Sequence, residues 1–166
     1  PKRLALLTYL LLSSQHGFHR RDSLLPLFWP EQDQKSARNA LSNMLYHIRK
    51  TLGREAVENR GAEEVKINPE ALWADTITFR KACSEKDYRT AMELYRGELL
   101  KGFHVSDIST EFDFWLEQER KRFHSLAIEG CIELAKTSFN EGDNHSAAMF
   151  AKKAASLDLY SEKLHT

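Results

Sequence analysis

The chain is poor in cysteine and has no long hydrophobic run. Cys83 and Cys131 lie 48 residues apart within apolar, helix-like patterns, which indicates buried reduced thiols and a reducing cytoplasm. The apolar run after Lys2 and Arg3 resembles the start of a secretory signal, but it is too short to span a bilayer and no small-residue cleavage site follows it. We interpret this run as the first helix of a fragment of a larger protein.

The sequence also lacks the motifs of several enzyme classes. It has no GxxxxGK(S/T) phosphate loop, no GxGxxG and no HExxH, so we expect neither enzyme activity nor a cofactor. His16 and His19 are the closest histidine pair, but no clustered cysteine or carboxylate completes a metal-ligand set beside them. Trp29, Trp73 and Trp115 lie in apolar contexts, which predicts that they belong to the core.

The most informative absence is that of acidic residues between Asp33 and Glu55. The 21 residues between them contain no Asp or Glu, where a chain with 24 acidic residues in 166 would place about three. The net charge is zero, yet residues 1–60 carry ten Lys and Arg against five Asp and Glu, and residues 61–166 carry fourteen against nineteen. Such asymmetry indicates a basic module that meets a polyanion and an acidic module with another role.

Two helices are predicted before this acid-free stretch. Leucines at helical spacing predict a helix over Lys2–Ser13, ended by the turn-prone SSQHG. The segment RRDSLLPLFWP predicts a short second helix with Asp22 as its N-cap, Pro26 in its first turn and Pro30 near its end.

A third helix and a hairpin follow. The third helix is predicted from Asp33, an N-cap, to Leu52, with Gly53 closing it. The segment EAVENRGAEEVKIN has a turn signal at Asn-Arg-Gly and the alternation of a β-hairpin, with Val65 and Ile67 on one side. Helix, turn, helix and hairpin is the order of a winged helix-turn-helix.

The third helix has two different faces when its residues are placed at 100° per residue. Its apolar residues fall within about 100° of one another, a stripe wide enough to pack on the first two helices. This stripe comprises Ala37, Leu41, Met44, Leu45, Ile48 and Leu52. The opposite side and its flanks carry Lys35, Arg38, Asn39, Ser42, Asn43, Tyr46, His47, Arg49 and Lys50.

Each residue of this second set can donate a hydrogen bond and none is an anion. A helix face that only meets solvent normally mixes Glu with Lys for i,i+4 pairing, whereas a carboxylate pressed against phosphates would be repelled. Arg can read guanine, Asn can read adenine, and Lys, Ser and Tyr can reach phosphates. The pattern therefore favours a helix that lies in a duplex groove, with an ordinary basic solvated helix as the alternative.

The second half contains a repeated pattern, Asp-x-x-(Thr/Ser)-Ala, beginning at Asp87 and again 56 residues later at Asp143. Each copy follows a break and opens a helix with small residues, as stacked helical hairpins require. Between them the sequence predicts one long helix over Thr110–Asn140. Its charge run EQERKR favours a solvated face, with an inter-subunit contact as the alternative.

Several segments resemble the SARP-type bacterial transcriptional activators. The N-terminal ones are LALLTYLLLSS, FWP at 28–30, SARNAL at 36–41, IRKTLG at 48–53 and ADTITF at 74–79. The C-terminal ones are YRGELLKGF at 95–103, WLEQERKRF at 115–123 and GDNHSAAMFAKKAASLD at 142–158. In that family a winged helix precedes a bacterial transcriptional activator domain of tetratricopeptide-like repeats.

The resemblance implies a mostly α fold, with a winged helix-turn-helix over residues 1–73 carrying a small hairpin wing, and a helical-hairpin domain over residues 74–166. It implies a cytoplasmic DNA-binding transcriptional regulator, an activator, that contacts double-stranded DNA and no membrane. The helical domain would mediate homo-oligomerisation, regulation or contact with RNA polymerase. Arg60, at the hairpin tip, would reach the DNA backbone or minor groove.

Three features depart from the family pattern. No strands precede the first helix, Pro26 replaces a helix-forming residue, and Leu159 stands where a proline is usual. Two other interpretations stay open. One is a helical-repeat protein-interaction scaffold whose winged helix no longer binds DNA. The other, compatible with DNA binding, is a regulatory segment of a larger multidomain sensor.

Overall fold

The computed structural model describes residues 1–13 and 17–163, with side chains to residue 159. This part of the chain is mostly helical and contains one small antiparallel sheet. The helices are α1 (Lys2–Leu12), α2 (Arg21–Phe28), α3 (Gln34–Leu52), α4 (Asp75–Ser84), α5 (Tyr88–Leu94), α6 (Thr110–Asn140) and α7 (Asn144–Lys163). The strands are β1 (His19–Arg20), β2 (Val57–Arg60) and β3 (Glu64–Ile67). The SSQHG turn predicted after α1 falls largely on residues 14–16, outside the described residues.

The sheet contains the predicted hairpin and one strand that we did not predict. Strands β2 and β3 pair antiparallel with Val57 opposite Ile67, and β1 pairs on the other side of β3 with His19 opposite Val65. Val65 and Ile67 are both buried, as their alternation predicted. Because β1 has only two residues, it carries no alternation that a sequence could reveal.

Both predicted ends of α3 are confirmed. The carboxylate of Asp33 accepts a hydrogen bond from the backbone N–H of Ser36 at 3.0 Å, the geometry of an N-cap. At the other end Gly53 has a φ of +104°, which glycine adopts without the steric cost other residues meet, and its N–H donates to the carbonyl of Arg49.

The predicted cap of α2 is wrong. Its N-cap is Arg20, because β1 runs directly into the helix, and the N–H of Arg21 donates to the carbonyl of Glu63 at 2.8 Å. Asp22 therefore lies within the first turn. Pro26 is the sixth residue of α2 rather than part of its first turn, so it cannot donate to the carbonyl of Asp22 as a normal helical residue would.

The described chain divides into two compact units. The first comprises residues 1–77 and 102–117, and the second comprises residues 78–101 and 118–166. The predicted boundary after residue 73 assigns residues 102–117 to the C-terminal domain, whereas in the structure they group with the first unit. The reason is aromatic packing, because Phe112 lies 5.3 Å from the ring of Phe28 and Trp115 lies 4.7 Å from that of Tyr9. The N–H of Ser109 also donates to the carbonyl of Leu27 at 3.0 Å.

The core of the first unit is built from one side of each element. Its fully buried residues include Leu6 and Leu10 of α1, Leu24 and Phe28 of α2, Leu41 and Leu45 of α3, and Val65 of β3. Of the three tryptophans predicted in the core, Trp29 is buried and Trp115 is half-buried. Trp73 is 73% exposed, because it lies in the loop between β3 and α4 and not on the inner face of an element.

The second unit contains two turns with the same hydrogen-bond geometry. At the first, the N–H of Asp87 donates to the carbonyl of Ala82 at 2.9 Å and that of Lys86 to Cys83 at 3.1 Å. At the second, 56 residues later, Asp143 donates to Ser138 at 2.9 Å and Gly142 to Phe139 at 3.1 Å.

The helix that follows each turn is capped in the same way. The carboxylate of Asp87 accepts from the N–H of Thr90, and that of Asp143 accepts from the N–H of Ser146. Lys86 and Gly142, which precede the two caps, both have positive φ. The predicted sequence repeat is therefore a structural repeat of helix end, turn and helix start.

The long helix predicted over residues 110–140 has the predicted bounds, but its charge run is only partly solvated. Glu119 is 8% exposed, and Arg120 donates to the carbonyl oxygens of Leu99 and Leu100 at 3.0 and 2.8 Å. Helical periodicity explains this, because Glu119 lies three residues after Leu116 and four before Phe123, both of which are buried.

Candidate nucleic-acid interface

Helix α3 separates its buried and exposed residues as its sequence predicted. Ala37, Leu41, Leu45 and Ile48 are at most 2% exposed. Met44 is half-buried and Leu52 is 40% exposed, so these two members of the stripe are only partly covered.

The opposite face of α3 meets solvent. The exposed site residues are Lys35, Asn39, Ser42, Asn43, Tyr46 and Lys50, while Arg38 and Arg49 are half-buried at its edges. Tyr46 is the most prominent aromatic residue on this helix, with 60% of its surface exposed and its ring packed edge-on against His47. The predicted donor residues therefore lie on one side of a 19-residue helix, and this side carries no carboxylate.

Arg38 is used within the protein. Its Nε and Nη2 donate to the two carboxylate oxygens of Asp22 at 2.9 and 2.7 Å, and Nη2 also lies 3.1 Å from Glu63. These hydrogen bonds lower the pKa of Asp22 and raise that of Arg38. Arg38 thus fastens α3 to α2 and to the turn between β2 and β3, and its charge is compensated.

Arg60 is also held within the protein. It ends β2, next to the turn formed by residues 61–63, and pairs with the carboxylate of Glu64. Its guanidinium carbon lies 4.7 Å from the ring centre of Phe18, and the Lys66 ammonium lies 5.0 Å from the same ring. The Phe18 ring therefore makes cation–π contacts with two cationic side chains of the hairpin.

Several cationic side chains of α3 take no part in the ion pairs described in the first unit. Its ion pairs use Arg38, Arg60 and Lys66. Among the described residues, none of the ion pairs involves Lys35, Arg49 or Lys50. The charge available to an external anion is therefore concentrated along α3.

Two residues that the sequence did not point to complete this surface. Nη2 of Arg21, at the start of α2, donates to the side-chain oxygen of Asn59 on β2 at 3.1 Å, and Nη2 of Arg49 donates to the same oxygen at 2.9 Å. Nη1 of Arg21 also lies 3.5 Å from the hydroxyl of Ser42. Because these residues are far apart in sequence, no local pattern joins them.

The sequence also suggested His16 and His19 as a candidate metal-binding pair. Among the side chains that the structure describes, in residues 1–13 and 17–159, no group of three or more His, Cys, Asp or Glu could hold a metal ion. His16, one of the suggested pair, lies outside the described residues. None of the described helices combines the length and apolar character that a membrane span needs.

Comparison of the chain with protein-family models, curated proteins and solved structures finds no significant match.

Proposed function

We propose that the protein is a DNA-binding transcriptional regulator whose helix α3 enters the major groove of duplex DNA. One observation carries this proposal: an exposed helix face of hydrogen-bond donors without a single carboxylate, opposite an apolar side on which Ala37, Leu41, Leu45 and Ile48 are buried. The major groove is about 12 Å wide and admits an α-helix. In this view α1 to α3 and the three-stranded sheet form a winged helix-turn-helix.

The position of each residue along α3 suggests its role. In helix-turn-helix proteins the N-terminal part of the recognition helix contacts base edges, so Asn39 and Ser42 are the candidates for reading bases. Lys50 and Arg49, near the C-terminal end, are the candidates for phosphates. Arg38 is better explained as a positioning residue, because two carboxylates already bind its guanidinium.

We further propose that the second unit is a tetratricopeptide-like helical domain that serves as the protein-contacting part of an activator. The two turns with matching hydrogen bonds and Asp caps support a repeat of helical hairpins. Helical repeats present grooves for protein partners, for which RNA polymerase or a second copy of the chain are the candidates.

Binding to pooled random duplexes, measured by fluorescence anisotropy, tests the DNA-binding proposal. We expect the wild type to bind and the variant Lys35→Ala/Asn39→Ala/Lys50→Ala to lose most of the affinity, because all three residues are exposed on α3. A matched control, Lys121→Ala/Asn140→Ala/Lys152→Ala, removes the same side-chain types and charge from exposed positions of the second unit. Equal loss in both variants, or no binding by the wild type, would favour the scaffold interpretation.

A further inference from the structure

Two arginine side chains from different elements converge on one neutral oxygen in the first unit. Arg21 begins α2, Arg49 lies in the last turn of α3, and both donate to the side-chain oxygen of Asn59. A carboxamide has no charge, so the two guanidinium groups are held together without a compensating anion at their meeting point.

The surroundings of this pair do not remove its positive charge. Burial is the main cause that lowers the pKa of Arg21, and the positive charge of Arg49 is the second. Arginine nevertheless remains protonated in proteins. The nearby carboxylate of Glu63 acts in the opposite direction, but it is already bound by Arg38. Within the described part of the chain, the buried Nε of Arg21 has no hydrogen-bond partner.

Each guanidinium carries five N–H donors, and only a few of them are used here. Arg21 donates through Nη1 and Nη2, and Arg49 donates through Nη2 and, to the carbonyl of Val57 at 3.4 Å, through Nε. Nη1 of Arg21 places this pair beside Ser42 on the exposed face of α3, and the neutral oxygen of Asn59 lies between the two positive charges. Planar guanidinium groups with paired donors are well matched to the oxygens of a phosphate.

We propose that Arg21 and Arg49 together bind one phosphate group of the DNA backbone, with Asn59 as the positioning residue that holds both guanidinium groups in place. This inference rests on the proposed function for the source of the phosphate, while the pairing of the arginines stands on the geometry alone. The proposal assigns a DNA contact to Arg21 of α2 and a supporting role to Asn59 of β2. The sequence pattern of α3 predicts neither role.

The salt dependence of duplex binding tests whether the two arginines share one phosphate. Each neutralised phosphate contributes about 0.9 to the slope of log K against log salt. We expect Arg21→Ala/Arg49→Ala to flatten the slope by about 0.9 and each single change to flatten it by less, because the remaining arginine still holds the phosphate. The exposed Arg89→Ala serves as control and should leave the slope unchanged. A loss of about 1.8 in the double variant, or no loss, would overturn the proposal.

A substitution at Asn59 tests its positioning role without removing either arginine. Asn59→Asp would place a carboxylate between the two guanidinium groups and fill the site from within. We expect this variant to have a higher Tm than the wild type and to bind duplex DNA about tenfold more weakly or worse. Asn140→Asp, an exposed position in the second unit, adds the same charge as a control. If Asn59→Asp changes binding no more than this control, the proposal is wrong.

Inorganic phosphate separates failure of the site from failure of the proposed function. In ¹H–¹⁵N spectra of arginine side chains, phosphate should shift the Nε–H signals of Arg21 and Arg49 in the wild type, and neither signal in Asn59→Asp. If the protein binds no duplex but shows these shifts, the anion site exists and free phosphate or another phosphate ester is its source. If phosphate shifts neither signal, the proposed site is absent even when the protein binds DNA.

Discussion

At the scale of single residues, charge decides what α3 can contact. Its exposed face carries hydrogen-bond donors and no carboxylate, and the acidic residues beside Arg38, Asp22 and Glu63, are both bound to it. Such a surface attracts a polyanion while repelling none of its phosphates. The residues on it should nevertheless contribute differently, because reading a base and holding a phosphate are different interactions.

Asn39→Ala should reduce sequence preference rather than general affinity. If Asn39 pairs with an adenine, its removal should cost about 1 to 3 kcal/mol on the preferred duplex and little on random DNA. Folding should be unaffected, because Asn39 is exposed and lies off the apolar stripe. Competition binding between a selected duplex and random DNA measures this difference, and an equal loss on both would argue against base contact.

Lys50→Ala should behave in the opposite way. We expect weaker binding to every duplex and a slope of log K against log salt that is flatter by about 0.9, as for the loss of one phosphate contact. Titrations at several salt concentrations provide the slope. A loss confined to one sequence would instead place Lys50 at a base.

The sequence predicted which candidate residues share the exposed face of α3, because they recur at helical spacing within one segment. It could not identify Arg21 and Asn59, which meet only because α2 and β2 are brought together by the fold, 38 positions apart in sequence. Arg38 is a second case of a contact that the sequence could not predict. Its place on the helix was predicted, but its partner Asp22 lies in another helix, so the ion pair that compensates its charge was not foreseeable.

At the scale of elements, local signals were reliable wherever the determining interactions are local. Asp33, Asp87 and Asp143 all accept a hydrogen bond from the backbone N–H three residues later. The sequence predicted the cap at Asp33 and a helix start at each of the other two. The two-residue strand β1 was missed because its pairing depends on β3, more than forty residues away.

The cap at Asp143 should make stability depend on pH. Hydrogen bonds from Ser146 lower the pKa of Asp143 in the folded state, so the stabilisation is present above the unfolded-state pKa and is lost as pH falls through the folded-state pKa. Asp143→Asn keeps a capping oxygen that does not titrate. We therefore expect the Tm of the wild type to fall more than the Tm of Asp143→Asn as pH falls below about 4.

Thermal unfolding followed by circular dichroism between about pH 7 and pH 2 measures this trend. Glu141→Gln, an exposed position two residues earlier, removes the same charge without removing a cap. If both variants show the same pH trend, the effect is general charge repulsion and not the cap.

Packing of the start of α6 in the first unit gives another prediction at this scale. Phe112 is 1% exposed and packs against Phe28, so Phe112→Ala should destabilise the first unit by about 3 to 5 kcal/mol. Hydrogen exchange should accelerate in α1 and α2. Phe123→Ala makes the same change in the second unit, where Phe123 stacks on Phe79 at 5.4 Å, and should accelerate exchange chiefly in α4. Identical exchange patterns would contradict the assignment of residues 102–117.

At the scale of the whole molecule, the sequence predicted the mostly helical composition and the sheet hairpin but not how the chain divides. Residues 102–117 join the first unit through contacts of Phe112 and Trp115 with α1 and α2, which composition and periodicity cannot reveal. Trp73 was misplaced for a related reason, since an apolar residue in a loop has no periodic partner that fixes its burial.

The most direct test of the central claim is a cycle that changes the DNA base and α3 together. From duplexes selected by the wild type, each adenine of the site is replaced in turn by 7-deazaadenine, which lacks the N7 acceptor of the major groove. Our account predicts that at one position the replacement weakens wild-type binding by about tenfold and leaves binding by Asn39→Ala unchanged. If no position behaves in this way, or if the protein selects no duplex, α3 does not read DNA through Asn39 in the major groove.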